Sequence, residues 1–148
     1  MSEVRKVAII TGSSQGLGAS IAVKLSQKNI NLVINYSSNK VMALKIKDEC
    51  VNNGVEAITV QADVSRDDDC KKIVQETINA FGRVDILVNN AGTTKFADHS
   101  KLDKLNDEDF INIYKVNVIG PYQMIRAVEP IMKKNGFGAI VNISSIAG

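Results

Sequence analysis

Apolar and polar positions along this chain segregate into blocks rather than alternating residue by residue. Five short apolar runs, Val7–Ile10, Leu32–Ile34, Ala57–Val60, Ile86–Val88 and Ala139–Ile143, carry little polar interruption. That is the pattern of strands buried on both faces of a parallel sheet. Longer stretches with helical spacing lie between them. Gly18–Lys28 sets Ile21, Ala22 and Leu25 on one face, and Val41–Asn53 closes on Asn53-Gly54, a good helix C-cap. The third helix has the cleanest stripe. After the caps and acids of Ser65–Asp69, residues Cys70, Ile73, Val74, Thr77, Ile78 and Phe81 follow the i, i+3, i+4 rule, and Gly82 ends it. Asn106 caps a long helical pattern, Asp107–Lys134, with Phe110, Ile113, Tyr114 and Asn117 in step. Thr93–Leu105, polar and containing His99, reads as a loop.

Strands that alternate with helices in this way build βαβ units, an α/β fold with right-handed crossovers. No repeat, low-complexity tract or linker divides the sequence, so residues 1–148 form one unit. In an open sheet of this kind ligands bind beyond the carboxyl ends of the strands. That rule selects Gly12–Gly18, Asn35–Ser37, Asp63-Val64, Asn89–Gly92 and Ser144-Ser145, all polar or glycine-rich. In the first of these, Gly12, Gly16 and Gly18 punctuate the turn between a strand and a helix N-terminus. Free amides and the positive end of the helix dipole make an anion site there. A tight turn with no ligand is the alternative for that stretch taken alone.

Composition removes several classes of function. The chain has 148 residues, 45% hydrophobic and 23% charged, enough for one domain with a real core. Net charge is +2, no Lys/Arg run exceeds two residues, and the aromatics are three Tyr and four Phe, which argues against a nucleic-acid partner. Cys50 and Cys70 lie on helical patterns and only one His is present, so no zinc set or other metal site is expected. Two lone cysteines suit a reducing, cytoplasmic setting, with Cys70 a core residue. No signal peptide and no membrane-length apolar run is found, so no membrane partner is expected.

One position carries a separate physical argument. Pro121 lies four residues after Asn117 and has no N–H to give the Asn117 carbonyl, and Gly120 loosens the same turn. A kink is expected there, with a water as the natural partner for the freed carbonyl.

Thr11-Gly-Ser-Ser-Gln-Gly-Leu-Gly18 has the pattern Thr-Gly-x-x-x-Gly-x-Gly, and Asn89-Asn-Ala-Gly92, Asn117 and Ile143-Ser-Ser145 follow in order. Together they resemble the motifs of the short-chain dehydrogenase/reductase family, from Lys6 to Gly148. Within that family the chain is most similar to 3-oxoacyl-acyl-carrier-protein reductases and bacterial sugar dehydrogenases. The resemblance implies a Rossmann-like doubly wound sheet with strand order 3-2-1-4-5 and an NADP-dependent oxidoreductase acting on a small carbonyl or alcohol substrate. It implies that Gly12, Ser13, Ser14, Gln15, Gly16, Leu17 and Gly18 hold the diphosphate and adenosine ribose. Asp63 and Val64 would meet the adenine, and Asn90, Ala91 and Gly92 the nicotinamide ribose. Ser145 would hydrogen-bond the reacting carbonyl oxygen, and the Asn117 carbonyl would hold a water of the proton relay. The full-length form is expected to be a homo-oligomer, a dimer or tetramer.

The second strand ends in Asn35-Tyr36-Ser37-Ser38-Asn39-Lys40, with no acid to bind the ribose hydroxyls of NAD and with donors on Ser37, Asn39 and Lys40. NADP is therefore preferred to NAD. The family's proton donor, a Tyr with a Lys four residues later, belongs on the helix after the fifth strand, and this sequence ends at Gly148 before such a helix. Tyr36 and Lys40 fit that spacing but sit at the adenosine end of the cofactor. The expectation is the N-terminal part of a longer reductase, truncated, with negligible turnover by itself, since a positioned proton donor is worth roughly 10²–10⁴ in rate. The competing expectation is a catalytically inactive nucleotide-binding or self-associating fragment.

Overall fold

Val7–Ile10 forms strand β1, and all four of its side chains are buried. Val7 and Ile9 enter the core on one face of the sheet, Ala8 and Ile10 the core on the other. This two-sided burial is why the run has no polar position. The structure, a computed structural model, describes residues 4–145; Ile146–Gly148, the end of the span that carries the resemblance, lie outside the described residues. Strands β2 (Asn31–Tyr36), β3 (Ala57–Gln61), β4 (Ile86–Asn89) and β5 (Ala139–Asn142) complete the sheet. The order is β3-β2-β1-β4-β5, parallel throughout, as expected. Helices α1 (Gly16–Ser26) and α2 (Lys40–Asn52) cover one face. Helices α3 (Asp67–Phe81) and α5 (Gly120–Asn135) cover the other. The chain moves outward from β1 in both directions, so the crevice of this doubly wound sheet opens between β1 and β4.

Three differences from the sequence reading have physical causes. Strand β2 extends beyond Leu32–Ile34 because its flanking polar residues are buried with partners; Asn31 Oδ1, for example, accepts the Glu56 N–H at 3.0 Å. Helix α1 begins at Gly16, two residues before the expected Gly18, because the Ala19 N–H already donates to the Gln15 carbonyl at 3.3 Å. The long pattern Asp107–Lys134 is split into α4 (Asp107–Tyr114), a π turn (Lys115–Ile119) and α5. Pro121 cannot donate to the Asn117 carbonyl, and its ring would crowd it. The helix widens instead, and the Gly120 N–H donates to the Lys115 carbonyl five residues back. Phe110 and Tyr114 consequently face outward on the first segment, while Met124, Val128 and Met132 carry the buried face of the second.

Cys70 is fully buried on the inner face of α3, and its thiol donates to the Val64 carbonyl at 3.2 Å. Desolvation first, then the nearby charges of Asp67, Asp69 and Asp63, push the thiol up from 9.0 to about 12. A neutral, enclosed thiol is not a nucleophile. The native protein is therefore expected to resist a thiol-labelling reagent at about pH 8, with both cysteines reacting once urea unfolds the chain. The sign of the linkage is also set: the unfolded thiol ionises near 9.0 while the folded one stays protonated, so stability falls as pH rises from 9.0 toward 12. Rapid labelling of folded protein at Cys70 would contradict the packing.

Candidate active site

The turn after β1 is built around Thr11 and Asn90. The Thr11 hydroxyl oxygen accepts the N–H groups of Asn90 and Ala91, each at 3.0 Å. The Asn90 side-chain amide donates back to the Thr11 and Gly12 carbonyls, again at 3.0 Å. The tips of β1 and β4 are thereby locked together before any ligand is considered. Contact is so close that a Cβ on Gly12 would lie 2.9 Å from Ala91 Cα, and one on Gly18 would lie 2.4 Å from the Asn90 amide nitrogen. Gly16 differs: its φ is +59°, and nothing lies within 4 Å of where its Cβ would stand. Two glycines thus admit protein and one borders open space, directly at the start of α1. The first amides of that helix have no intrahelical acceptor.

Above these tips lies a cleft of about 580 Å³, bordered by the carboxyl ends of β1, β2, β3 and β4. Of the sequence-selected residues it brings together Gly12, Ser14, Gln15, Gly16, Ser37, Asp63, Val64, Asn90, Ala91 and Gly92. Ser13 is not among the lining residues. It is buried, its hydroxyl donates to the Ile10 carbonyl at 2.7 Å, and that oxygen accepts the Asn35 N–H at 3.2 Å. Leu17 points to solvent and Gly18 is buried under the turn, so neither lines the cleft. Among the described residues the only charged side chain on the wall is Asp63, whose Oδ1 accepts the Ser65 N–H at 2.9 Å while its own N–H donates to Asp69 at 2.7 Å. The remaining polar wall is neutral, made of hydroxyls and amides.

Asn117 lies outside the wall but acts on it. Its Oδ1 accepts the Thr93 N–H and its Nδ2 donates to the Thr93 carbonyl, both at 2.8 Å. This two-point grip fixes the chain just after Gly92, where Thr93 lines the cleft. A second tie follows at Lys95, which meets Asp109 of α4 at 2.7 Å and, with the Asn106 N–H, holds that carboxyl below the usual carboxylate range. Ser145 follows β5, on the far side of β4, and is exposed. Ser144-Ser145 is the one selected tip that does not border the cleft.

Several lining residues have no signature in the sequence. Asn112 and Val116 reach the cleft from α4 and the π turn, and Ala62 completes the floor beside Asn35 and Tyr36 of the selected β2 tip. The strand-end rule selects Asn35 and Tyr36; nothing local points to Asn112. Among the described residues no group of three or more His, Cys, Asp or Glu side chains is placed to hold a metal ion, and no helix is long and apolar enough to cross a membrane.

Comparison with known proteins agrees with this fold. The chain is 36% identical over 145 residues to a 3-oxoacyl-(acyl-carrier-protein) reductase of Staphylococcus epidermidis, covering 98% of this chain and 58% of the relative. A reductase of the same name from Synechocystis is 36% identical over 143 residues, covering 97% and 57%. The chain thus spans a little over half the length of these relatives. A crystal structure of a short-chain dehydrogenase/reductase from Burkholderia xenovorans superposes with a TM-score of 0.94 at 33% identity, covering 99% of this chain and 62% of that one. A metagenomic short-chain oxidoreductase in complex with NADP gives a TM-score of 0.87 at 34% identity, covering 96% and 63%. The short chain dehydrogenase family model matches residues 6–148, the same span that carries the strand tips and their cleft, and the chain belongs to the short-chain dehydrogenase/reductase family.

Proposed function

We propose that this chain is the dinucleotide-binding part of an NADP-dependent reductase that converts a ketone, a 3-oxoacyl thioester or a similar small carbonyl compound, to a secondary alcohol. The observation that carries the reading is the convergence of four strand tips on one hydrogen-bonding cleft, neutral apart from Asp63 at the β3 end, beside Gly16, where an added Cβ would meet open space at the start of α1. Such a wall suits a diphosphate, which amides and a helix N-terminus hold without a cation. Ser14, Gln15 and Gly16 would hold that group, with Gly12, Ser13, Leu17 and Gly18 shaping the turn beneath it. Asp63 and Val64 would border the adenine, and Asn90, Ala91 and Gly92 the nicotinamide ribose. When bound, the nicotinamide supplies the hydride.

The chain's own residues then have distinct tasks. Ser145 would donate a hydrogen bond to the substrate oxygen as negative charge grows on it. Asn117 would keep the Thr93 segment in place through its side chain and offer its carbonyl to a relay water. The proton donor would come from chain that the longer relatives have beyond this span. The reductase relatives of the same family support the substrate class, and a full-length homo-oligomer follows from the same reading.

Cofactor choice rests on the end of β2. Ser37, Ser38 and Asn39 line the cleft there, and none is acidic. Titration of NADPH and NADH by the change in nicotinamide fluorescence is expected to show tighter binding of NADPH. In Ser37→Asp the new carboxylate would face the 2′-phosphate, and the NADPH-to-NADH preference is expected to fall by about tenfold or more. Binding of neither nucleotide would overturn the reading. An unchanged preference in Ser37→Asp would place the 2′-phosphate elsewhere.

A second reading, an inactive nucleotide-binding fragment that self-associates, is favoured by the open edge at β5, where Ile140, Val141 and Ile143 are exposed. Concentration-dependent sedimentation separates the two.

A further inference from the structure

Asn35 is 2% exposed, at the end of an otherwise apolar strand. Its side chain spends both polar atoms on backbone at the carboxyl ends of two other strands. Oδ1 accepts the Gly12 N–H at 3.0 Å, and Nδ2 donates to the Val60 and Ala62 carbonyls at 3.2 and 3.1 Å. Its backbone is engaged as well: the Asn35 carbonyl accepts the Ser13 N–H at 2.9 Å, and its N–H donates to Ser13 Oγ. One planar group therefore ties the glycine turn after β1 to the tip of β3.

These are the two walls that a ligand with a diphosphate and a purine would have to reach at once. Gly12 opens the turn beside Gly16, and Ala62 leads directly into Asp63 and Val64. Backbone pairing ties each segment to β2 separately, with the Ser13 N–H on the Asn35 carbonyl and the Ala62 N–H on the Tyr36 carbonyl, each at 2.9 Å, and the Asn35 side chain adds the direct link between the two. Gly12 has left β1, and its N–H is held by a side chain rather than by a strand. The requirement is specific in its chemistry, one acceptor toward β1 and two donors toward β3, which a carboxamide of this length satisfies. A carboxylate would set one acceptor oxygen against two carbonyls, and an aliphatic side chain would remove the bond to the Gly12 N–H and both bonds to the carbonyls.

We propose that Asn35 is a positioning residue that sets the distance between the diphosphate turn and the adenine floor, so that a single dinucleotide can engage both. The proposal rests on the dinucleotide reading above. Asn35 acts through Gly12 and Ala62 rather than by its own contact with the ligand. It also separates two roles at the end of β2: Ser37 faces the cleft and governs cofactor choice, while Asn35 governs its span.

The test compares adenosine, which needs only the β3 side, with ADP-ribose, which needs both. Affinities are measured by calorimetry on wild type, Asn35→Asp and Asn35→Ala, at about pH 7.5 and about pH 5.5, with circular dichroism as the check on folding. ADP-ribose is suited to this because its diphosphate does not titrate in that range. At the higher pH, Asn35→Asp is expected to lose about tenfold or more in ADP-ribose affinity, with adenosine changed by no more than about twofold. At the lower pH the buried carboxyl protonates and donates to one of the two carbonyls, so part of the loss returns. Asn35→Ala leaves room for water, covers the case of an Asp variant that does not fold, and is expected to show the same selective loss without recovery at acid pH. Equal losses for both ligands, or variants that bind ADP-ribose as wild type does, overturn the positioning role. Wild type that binds neither ligand overturns the dinucleotide reading itself, a result visible before any variant is made.

Discussion

Replacing Gly12 with alanine is expected to destabilise the protein by about 2–5 kcal/mol and to abolish measurable NADPH binding. Two costs combine at this position. The backbone stands at φ +62°, where an L side chain is strained, and the new Cβ would lie 2.9 Å from Ala91 Cα and 3.2 Å from Ala91 Cβ. The obstruction is backbone, which is itself pinned because the Ala91 N–H is held by Thr11. Relief therefore requires β1 and β4 to separate at their tips. Gly16→Ala is the matched control. Its φ of +59° carries the same conformational strain, but no atom lies within 4 Å of the added methyl. It is expected to cost only about 1–2 kcal/mol. A urea titration of both variants, read by circular dichroism, checks the order. Equal costs would mean that the turn is not braced against Ala91. Binding separates them differently, because the Gly16 methyl would project where the proposed diphosphate enters. Both variants should bind weakly, one through a displaced turn and the other through direct obstruction.

That contrast shows what can and cannot be read from residue order. Buried strands announce themselves as unbroken apolar runs, and the polar tips that follow them were enough to outline the cleft along β1 to β4. A motif such as Thr-Gly-x-x-x-Gly-x-Gly does not say which of its members face a ligand. Ser13 and Gly18 turn inward to hold the protein together, and Gly16 alone of the three motif glycines borders open space. Asn35 is legible only as part of a polar strand tip that lacks an acid; its bracing contacts are not, because its three backbone partners lie up to 27 residues away. Similarly, the missing N–H of Pro121 forecast a disturbance near Asn117 but not its form, a π turn with the Asn117 side chain clasping Thr93. Periodicity placed Phe110 and Tyr114 on one stripe of α4. It could not report that no core lies opposite that stripe among the described residues, because a stripe records one side of a contact only.

At the opposite end of the sheet, Asp85→Leu is expected to cost about 3 kcal/mol of stability while leaving nucleotide affinity of the folded protein within about twofold. Asp85 is fully buried where β4 begins, and it is bound on every side. Its Oδ2 accepts the Val7 N–H and Arg83 Nε, both at 2.8 Å, and its Oδ1 accepts Arg83 Nη2 at 2.7 Å. The backbone continues the pattern, with its N–H on the Val7 carbonyl at 3.0 Å and its carbonyl accepting the Ala139 N–H at 2.9 Å. One residue thus joins the amino ends of β1, β4 and β5. Loss of the carboxylate leaves the Arg83 head, which is partly exposed, free to recover its hydrogen bonds from water. The Val7 N–H has no such recourse, and its lost partner is the larger part of the cost. Leucine is the sharper choice because it keeps the branched shape and leaves no cavity, its two methyls being larger than the oxygens they replace. The expected result is a lower urea midpoint with an unchanged slope, and NADPH binding close to wild type in buffer without denaturant. A large loss of affinity in Asp85→Leu would mean that the amino ends of the strands are coupled to the cleft. That would contradict a sheet in which Asp85 fastens one end and the amide-lined turn after β1 performs the binding at the other.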